Sequence, residues 1–155
     1  MNEPSSELLR QFTQVDYVNH VALVAETFVD GRETIIGEAR YVRDADASSA
    51  EFAVSVAEPW QRRGLAKLML AKLECRAAAT GVRWIVAETL VNNKKMLSLA
   101  RKLGYVLSEN RAAPGVMRLQ KKLAMSDCNL PSQPTAATMR SDPRLLMPES
   151  YYARF

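Results

Sequence analysis

The sequence predicts one α/β domain on a sheet with both antiparallel and parallel neighbours, followed by a tail. Three observations carry that expectation. Three runs rich in β-formers come before any clear helical stripe in the body, and Asp30-Gly31, a strong hairpin signal, lies between the first two. Helical stripes then alternate with strand-like runs, as in a sheet that contains a parallel crossover. A chain of 155 residues, 48% hydrophobic and 25% charged, can bury one ordinary core.

The elements follow in order. Ser5-Ser6-Glu7-Leu8-Leu9-Arg10 reads as the start of a short helix. His20 to Val29 and Glu33 to Arg43 are strands, and Ala50 to Val56 is a third. In the third, period two puts Phe52, Val54 and Val56 on one face and Glu51, Ala53 and Ser55 on the other. Pro59 stops it. From Arg62 to Thr80, Leu65, Leu68, Met69, Leu73 and Ala77 form a helical stripe, with Gly81 as its stop. Arg83 to Leu90 is a strand of the buried type, and Asn93 to Leu103 is a second helix closed by Gly104. Tyr105 to Leu107 and Val116 to Leu123 are short final strands around Pro114-Gly115. The order is β-β-β-α-β-α-β-β.

Composition changes near Ala124. Residues 124–155 hold four prolines and no sustained period, which reads as a flexible tail with short docking pieces at Leu145-Leu146-Met147 or Tyr151-Tyr152. The expected division is therefore a body over 1–123 and a tail over 124–155.

Several classes are excluded. No apolar run reaches the roughly 18–20 residues of a membrane span. The N-terminus is acidic and lacks a signal peptide's layout, so the expected location is the cytoplasm, with no membrane partner. Cys75 and Cys128 are the only cysteines and His20 the only histidine, which argues against a Cys/His metal site. Both cysteines read as ordinary reduced residues. A net charge of +4, with no Lys/Arg block longer than two, suits an anionic ligand but not a dedicated nucleic-acid binder.

The informative stretch is Val54-Ser-Val-Ala-Glu-Pro-Trp-Gln-Arg-Arg-Gly-Leu-Ala66. A strand ends, a loop turns, and a helix starts at Gly64. The first N–H groups of such a helix lack internal partners and carry the positive end of its dipole, which makes an anion site suited to a pyrophosphate. Gly64 and Ala66 let a phosphate approach the main chain, and Arg62 and Arg63 add charge. Neither a Walker loop nor a Gly-x-Gly-x-x-Gly fingerprint is present.

Gln61-x-x-Gly64-x-Ala66, then Asn93, then Leu103-Gly104-Tyr105, resembles the GNAT acyltransferase superfamily over about Thr13 to Leu123. More narrowly, Ala50-Glu-Phe-Ala-Val, Trp60-Gln61 and Ala87-Glu-Thr-Leu90 look like the acetyltransferase domain of the bacterial protein lysine acetyltransferases of Pat type. The resemblance implies a GNAT-like mixed, mostly antiparallel sheet flanked by helices, with its N-terminal strand and helix region shortened. It implies acetyl-CoA as co-substrate, with no metal. Main-chain groups of Val54, Ser55 and Val56 would pair with the pantetheine arm. After Gln61, the amides of Arg62, Arg63, Gly64, Leu65, Ala66 and Lys67 would hold the pyrophosphate. Asn93 would bond the cofactor near its thioester end.

The implied reaction is N-acetyl transfer by direct attack of an amine, with a protein lysine as leading acceptor. A small-molecule amine or a protein N-terminus would use the same chemistry. A CoA-binding regulator with weak or no turnover is the reading of another class. The acceptor amine must first lose a proton, and a carboxylate in a partly dry cleft supplies that base. Two compete. Glu51 stands where Pat-type domains carry their base, and Glu88, five residues before Asn93, where ribosomal-protein N-terminal acetyltransferases carry theirs. Oxyanion support is expected from a main-chain N–H near Val56. One departure concerns the leaving thiolate: many members place a tyrosine seven residues after the asparagine, where this chain has Ala100. Tyr105, His20, Trp60 and Trp84 read as structural.

Overall fold

A computed structural model describes residues 18–124 together with Cys128. The expected helix start at Ser5–Arg10 and the expected docking pieces in the tail lie outside the described residues.

Eight of the elements expected from the sequence are present. Strands β1 (His20–Val29), β2 (Arg32–Arg43) and β3 (Ser49–Val56) come first, then a 3₁₀ turn at Glu58–Trp60. Helix α1 (Leu65–Ala79), strand β4 (Trp84–Leu90), helix α2 (Lys94–Lys102) and strands β5 (Val106–Glu109) and β6 (Val116–Lys122) follow. The six strands form one sheet in the order β1-β2-β3-β4-β6-β5. Only β3 and β4 run parallel; every other pair is antiparallel. This is the mixed, mostly antiparallel sheet that the resemblance implies.

The β1–β2 hairpin turns at Asp30 and Gly31, both with positive φ (49° and 74°), the geometry of a two-residue turn matched to strand twist. Its register shifts at Ala25/Glu26, and beside that bulge the N–H of Ala57 donates to the Ile36 carbonyl (2.8 Å). In β3 the alternation is as read: Ala50 and Phe52 are buried, Val54 and Val56 pack against the core, and Glu51, Ala53 and Ser55 face outward.

Helix α1 lies across β1, β2 and β3, and α2 lies against β5, both on the same face of the sheet. Leu65, Met69, Leu70, Leu73, Ala77 and Ala78 make the buried face of α1. Leu70 thus takes a core place that the stripe assigned to Leu68, which is half-buried. The helix comes very close to β2: a Cβ added at Gly37 would stand 3.0 Å from Met69 Sδ and 3.3 Å from Leu65 Cδ2. The opposite sheet face carries exposed Val42, Trp84 and Val106. Trp84 is therefore not the core residue that its strand-like surroundings suggest; it stands on the face that no described helix covers (the uncovered face below), with Lys122 Nζ 6.0 Å from its ring.

The cysteines also differ from expectation. Cys75 on α1 and Cys128 are bonded as a disulfide across 53 residues, with a Cα–Cα distance of 4.8 Å. That distance lies within normal disulfide geometry. Local sequence around either cysteine holds no information about a partner so far away.

Below α1, Tyr105 donates its hydroxyl to Glu74 Oε1 (2.7 Å), and Lys121 pairs with Glu74 Oε2. The Tyr105 ring meets Phe52 at 5.4 Å. Burial, and then the charge of Glu74, push the Tyr105 hydroxyl well above its ordinary titration range. Tyr105 is the core residue that its sequence position indicates. Because the folded pKa is raised, this contribution to stability is complete below a tyrosine's ordinary value of about 10 and declines as pH rises above it. Tyr105→Phe should lower unfolding free energy by about 1 kcal/mol near neutrality. It should also remove part of the alkaline decline, as chemical denaturation from pH 7 to pH 11 would record.

Candidate functional site

The site begins with an interruption in the sheet. β3 and β4 pair only at Ser49–Trp84, Ala50–Ile85 and Glu51–Val86. Beyond that point both strands continue, β3 to Val56 held by β2 and β4 to Leu90 held by β6, without pairing to one another. The sheet therefore splits between its two parallel strands. The N–H of Ala57 points to β2, so alternation turns the N–H and C=O of Val54 and Val56 toward the gap. Ser55 carries the opposite parity, so its main-chain groups serve β2, and only its side chain projects to the uncovered face.

Parallel strands bring both following helices to the same end of the sheet, so α1 and α2 start at the open end of the split. Their N-termini differ. Asn93 caps α2: its Oδ1 accepts from the Met96 N–H (3.2 Å), and its Nδ2 donates to Thr89 Oγ1 (3.0 Å). Helix α1 has no side-chain cap. Its first helical bond is Leu68 N–H to the Gly64 carbonyl (3.0 Å), which leaves the amides of Leu65, Ala66 and Lys67 without an intrahelical acceptor.

The loop before α1 adds to this. Arg62 and Gly64 both adopt left-handed backbone, φ 63° and 83°. The helix proper begins at Leu65, with Gly64 as N-cap rather than first residue. A Cβ built on Gly64 would meet no atom within 4 Å apart from its chain neighbours, so its side of the loop is open. Trp60 packs against the core, as expected of an anchor, and the Arg63 guanidinium lies 4.8 Å over its ring. Arg62 and Lys67 are exposed beside the loop.

The two candidate bases stand on opposite lips of the split. Glu51 marks the vertex, paired in register with Val86, and projects to the uncovered face. Glu88, two residues beyond Val86, projects to the same face. Its Oε1 accepts from Asn110 Nδ2 (2.8 Å). Five residues of extended chain, about 16 Å, separate Glu51 from Val56. Val54, whose N–H also faces the gap, stands three residues, about 10 Å, from Glu51. Ala100 is fully buried in α2, so no side chain there reaches the split.

Two site residues escaped the sequence. Asn110 fixes Glu88 from 22 positions away in the chain, which no local pattern signals. Lys95 donates to Gln61 Oε1 (3.0 Å), and its local signal was a cation in the first turn of a helix, at the wrong end of the dipole. Among the described residues, no group of three or more His, Cys, Asp or Glu is placed to hold a metal. No helix among them is long and apolar enough to cross a membrane.

Comparison with known proteins agrees with this geometry. The sequence model of the acetyltransferase (GNAT) family matches residues 2–105. Acetyltransferase Pat of Mycolicibacterium smegmatis is 31% identical over 107 residues, which are 68% of this chain and 32% of that protein. Acetyltransferase PA5475 of Pseudomonas aeruginosa is 30% identical over 106 residues, 68% of this chain and 57% of that one. The chain thus spans between a third and three-fifths of these relatives' lengths. Among solved structures, the GNAT domain of S. lividans PAT superposes with a TM-score of 0.66 at 31% identity, covering 77% of this chain and 70% of that one. A cAMP-binding acyltransferase from Mycobacterium smegmatis gives 0.63 at 25% identity, covering 86% and 40%.

Gly64→Ala tests the loop. With φ at 83° and no steric neighbour, the added methyl should cost only the left-handed backbone energy, about 1–2 kcal/mol. Denaturant unfolding should show that loss; an unchanged midpoint would mean the loop adopts another conformation.

Proposed function

This chain belongs to the GNAT acetyltransferase family, and we propose that it is an acetyl-CoA-dependent N-acetyltransferase whose acceptor is a protein lysine. The observation that carries the reading is the split sheet, with main-chain groups of β3 facing the gap and the uncapped mouth of α1 at its open end. Those groups fit the co-substrate by chemistry. Free amides at Leu65, Ala66 and Lys67, with those of Arg62, Arg63 and Gly64 in the turn before them, suit a diphosphate. The strand edge at Val54 and Val56 suits an amide-bearing arm. Asn93 keeps a second Nδ2 hydrogen for the ligand beyond the one given to Thr89. In acting as co-substrate, acetyl-CoA supplies an acetyl group activated as a thioester.

The chain's own task is to prepare the amine. A lysine amine with a pKa near 10.4 is free at pH 7 in only about one molecule in 10³ to 10⁴, a penalty of roughly 4–5 kcal/mol. Glu51 at the vertex accepts that proton, directly or through a water, as the amine attacks the thioester carbon and the thiolate departs. The Val54 amide supports the charge that develops on the acetyl oxygen. Glu88, pinned by Asn110 on the facing lip, orients the acceptor's positive charge or takes over as base. The body over 1–123 carries this activity, the tail over 124–155 lies outside it, and the reaction belongs to the cytoplasm.

One observation favours a second reading, a CoA-binding regulator without useful turnover: buried Ala100 offers no acid to the departing thiolate. The experiment is calorimetry with acetyl-CoA followed by a free-thiol release assay with lysine peptides, small amines and peptide N-termini. Turnover on lysine peptides supports the proposal, turnover on another amine replaces the acceptor, and binding without thiol release supports the regulator. Glu51→Gln should lower turnover about 10²-fold or more with cofactor affinity nearly intact. An unchanged rate would move the role of base to Glu88.

A further inference from the structure

At the open end of the split, three elements are joined by two hydrogen bonds. Lys95, in the first turn of α2, donates from Nζ to Gln61 Oε1 (3.0 Å). Gln61, the residue before the loop's first free amides, donates from Nε2 to the Val56 carbonyl (3.0 Å). The path therefore runs from α2, across the gap, through the loop, to the end of β3.

Local electrostatics does not favour Lys95 where it stands. Lys94 and Lys95 occupy the positive end of the α2 dipole, and that turn holds no acidic residue. The contact on Gln61 is with a neutral amide oxygen, and no carboxylate among the described residues pairs with the ammonium, which has two further donors. Arg63 is directed to the Trp60 ring instead, so the cation that the side-chain contacts fix beside Gln61 is Lys95. A phosphate at the α1 mouth would offer the ammonium an anionic acceptor, adding an ion-pair attraction that the neutral amide oxygen of Gln61 does not supply.

We propose that Lys95 is a phosphate-binding residue of the cofactor site, held on Gln61 until a diphosphate arrives, and that its transfer to the phosphate ties α2 to the α1 loop across the split. This rests on the acetyl-CoA reading above. Gln61 keeps its bond to Val56 throughout, so the end of β3 stays in place while the lysine changes partner.

The test is calorimetric titration of the full chain with acetyl-CoA at a series of salt concentrations, for wild type, Lys95→Ala and Lys95→Arg. Lys95 is exposed, so both variants should fold, which circular dichroism would verify. Lys95→Ala should weaken acetyl-CoA about tenfold or more and flatten the dependence of affinity on salt. Lys95→Arg should recover most of both. An affinity loss with an unchanged salt dependence would mean that Lys95 only braces the loop, and no loss at all would leave it outside the site; either result overturns the inference while the transferase reading stands. A wild type that does not bind acetyl-CoA overturns both.

Discussion

The fold depends on where two parallel strands stop bonding to each other. β3 and β4 share three register positions and then diverge, although each continues for several residues with its outer edge fully paired. A pair of central strands that part in this way leaves a row of main-chain donors and acceptors inside the sheet. Unpaired groups of that kind are costly when buried, by about 1–3 kcal/mol each, so a stable fold fills the gap with solvent, side chains or ligand. Here one side chain does part of that: Gln61 reaches back to the Val56 carbonyl. The rest of the edge is left facing the gap, and a ligand that extends the sheet like a short strand complements it.

The same divergence sorts charge by position. The parallel direction puts both helix mouths at the open end, where Arg62, Arg63, Lys67, Lys94 and Lys95 gather and neither α1 nor α2 has an acid in its first turn. The carboxylates of Glu51 and Glu88 lie further in, along the lips and on the uncovered face. In the proposed reaction, an anion at the mouth and a proton taken near Glu51 would be separated by more than the length of a short metabolite, since Val56 and Glu51 alone stand about 16 Å apart. That spacing suits the proposed co-substrate, a long ligand with its phosphate at one end and its reactive group at the other.

Much of this was legible in the sequence, for a definite reason. Strand and helix limits follow from short-range periodicity and turn chemistry, and β1 matches its expected range while α1 and α2 differ only at their ends. The loop from Trp60 to Ala66 was legible as a junction because Pro59 ends the strand run and Gly64 takes the left-handed backbone before α1. What was missed depends on partners distant in the chain. Trp84 lies in an apolar run that fits a strand buried on both faces, but among the described residues only one face of β4 is covered, so Ile85 and Ala87 go in and Trp84 stays out. Cys75 finds Cys128 only because the chain after β6 returns to α1. Asn110 and Lys95 gained their roles in the same way, through contacts 22 and 34 residues long.

Ala100 bears on which chemical step the site must help. In the proposed reaction the departing group is a thiol with a pKa near 8.5 and the attacking one a lysine amine near 10.4, so the thiolate is the better leaving group by about two units, or roughly 2.7 kcal/mol. Once the amine has lost its proton, the reaction runs forward without an acid at the sulfur. Before that loss, it faces the larger barrier of roughly 4–5 kcal/mol. On the proposed reading, carboxylates on both lips of the split, with a buried alanine behind it, serve the harder of the two proton problems. It leaves the easier one to the intrinsic acidity of the thiol.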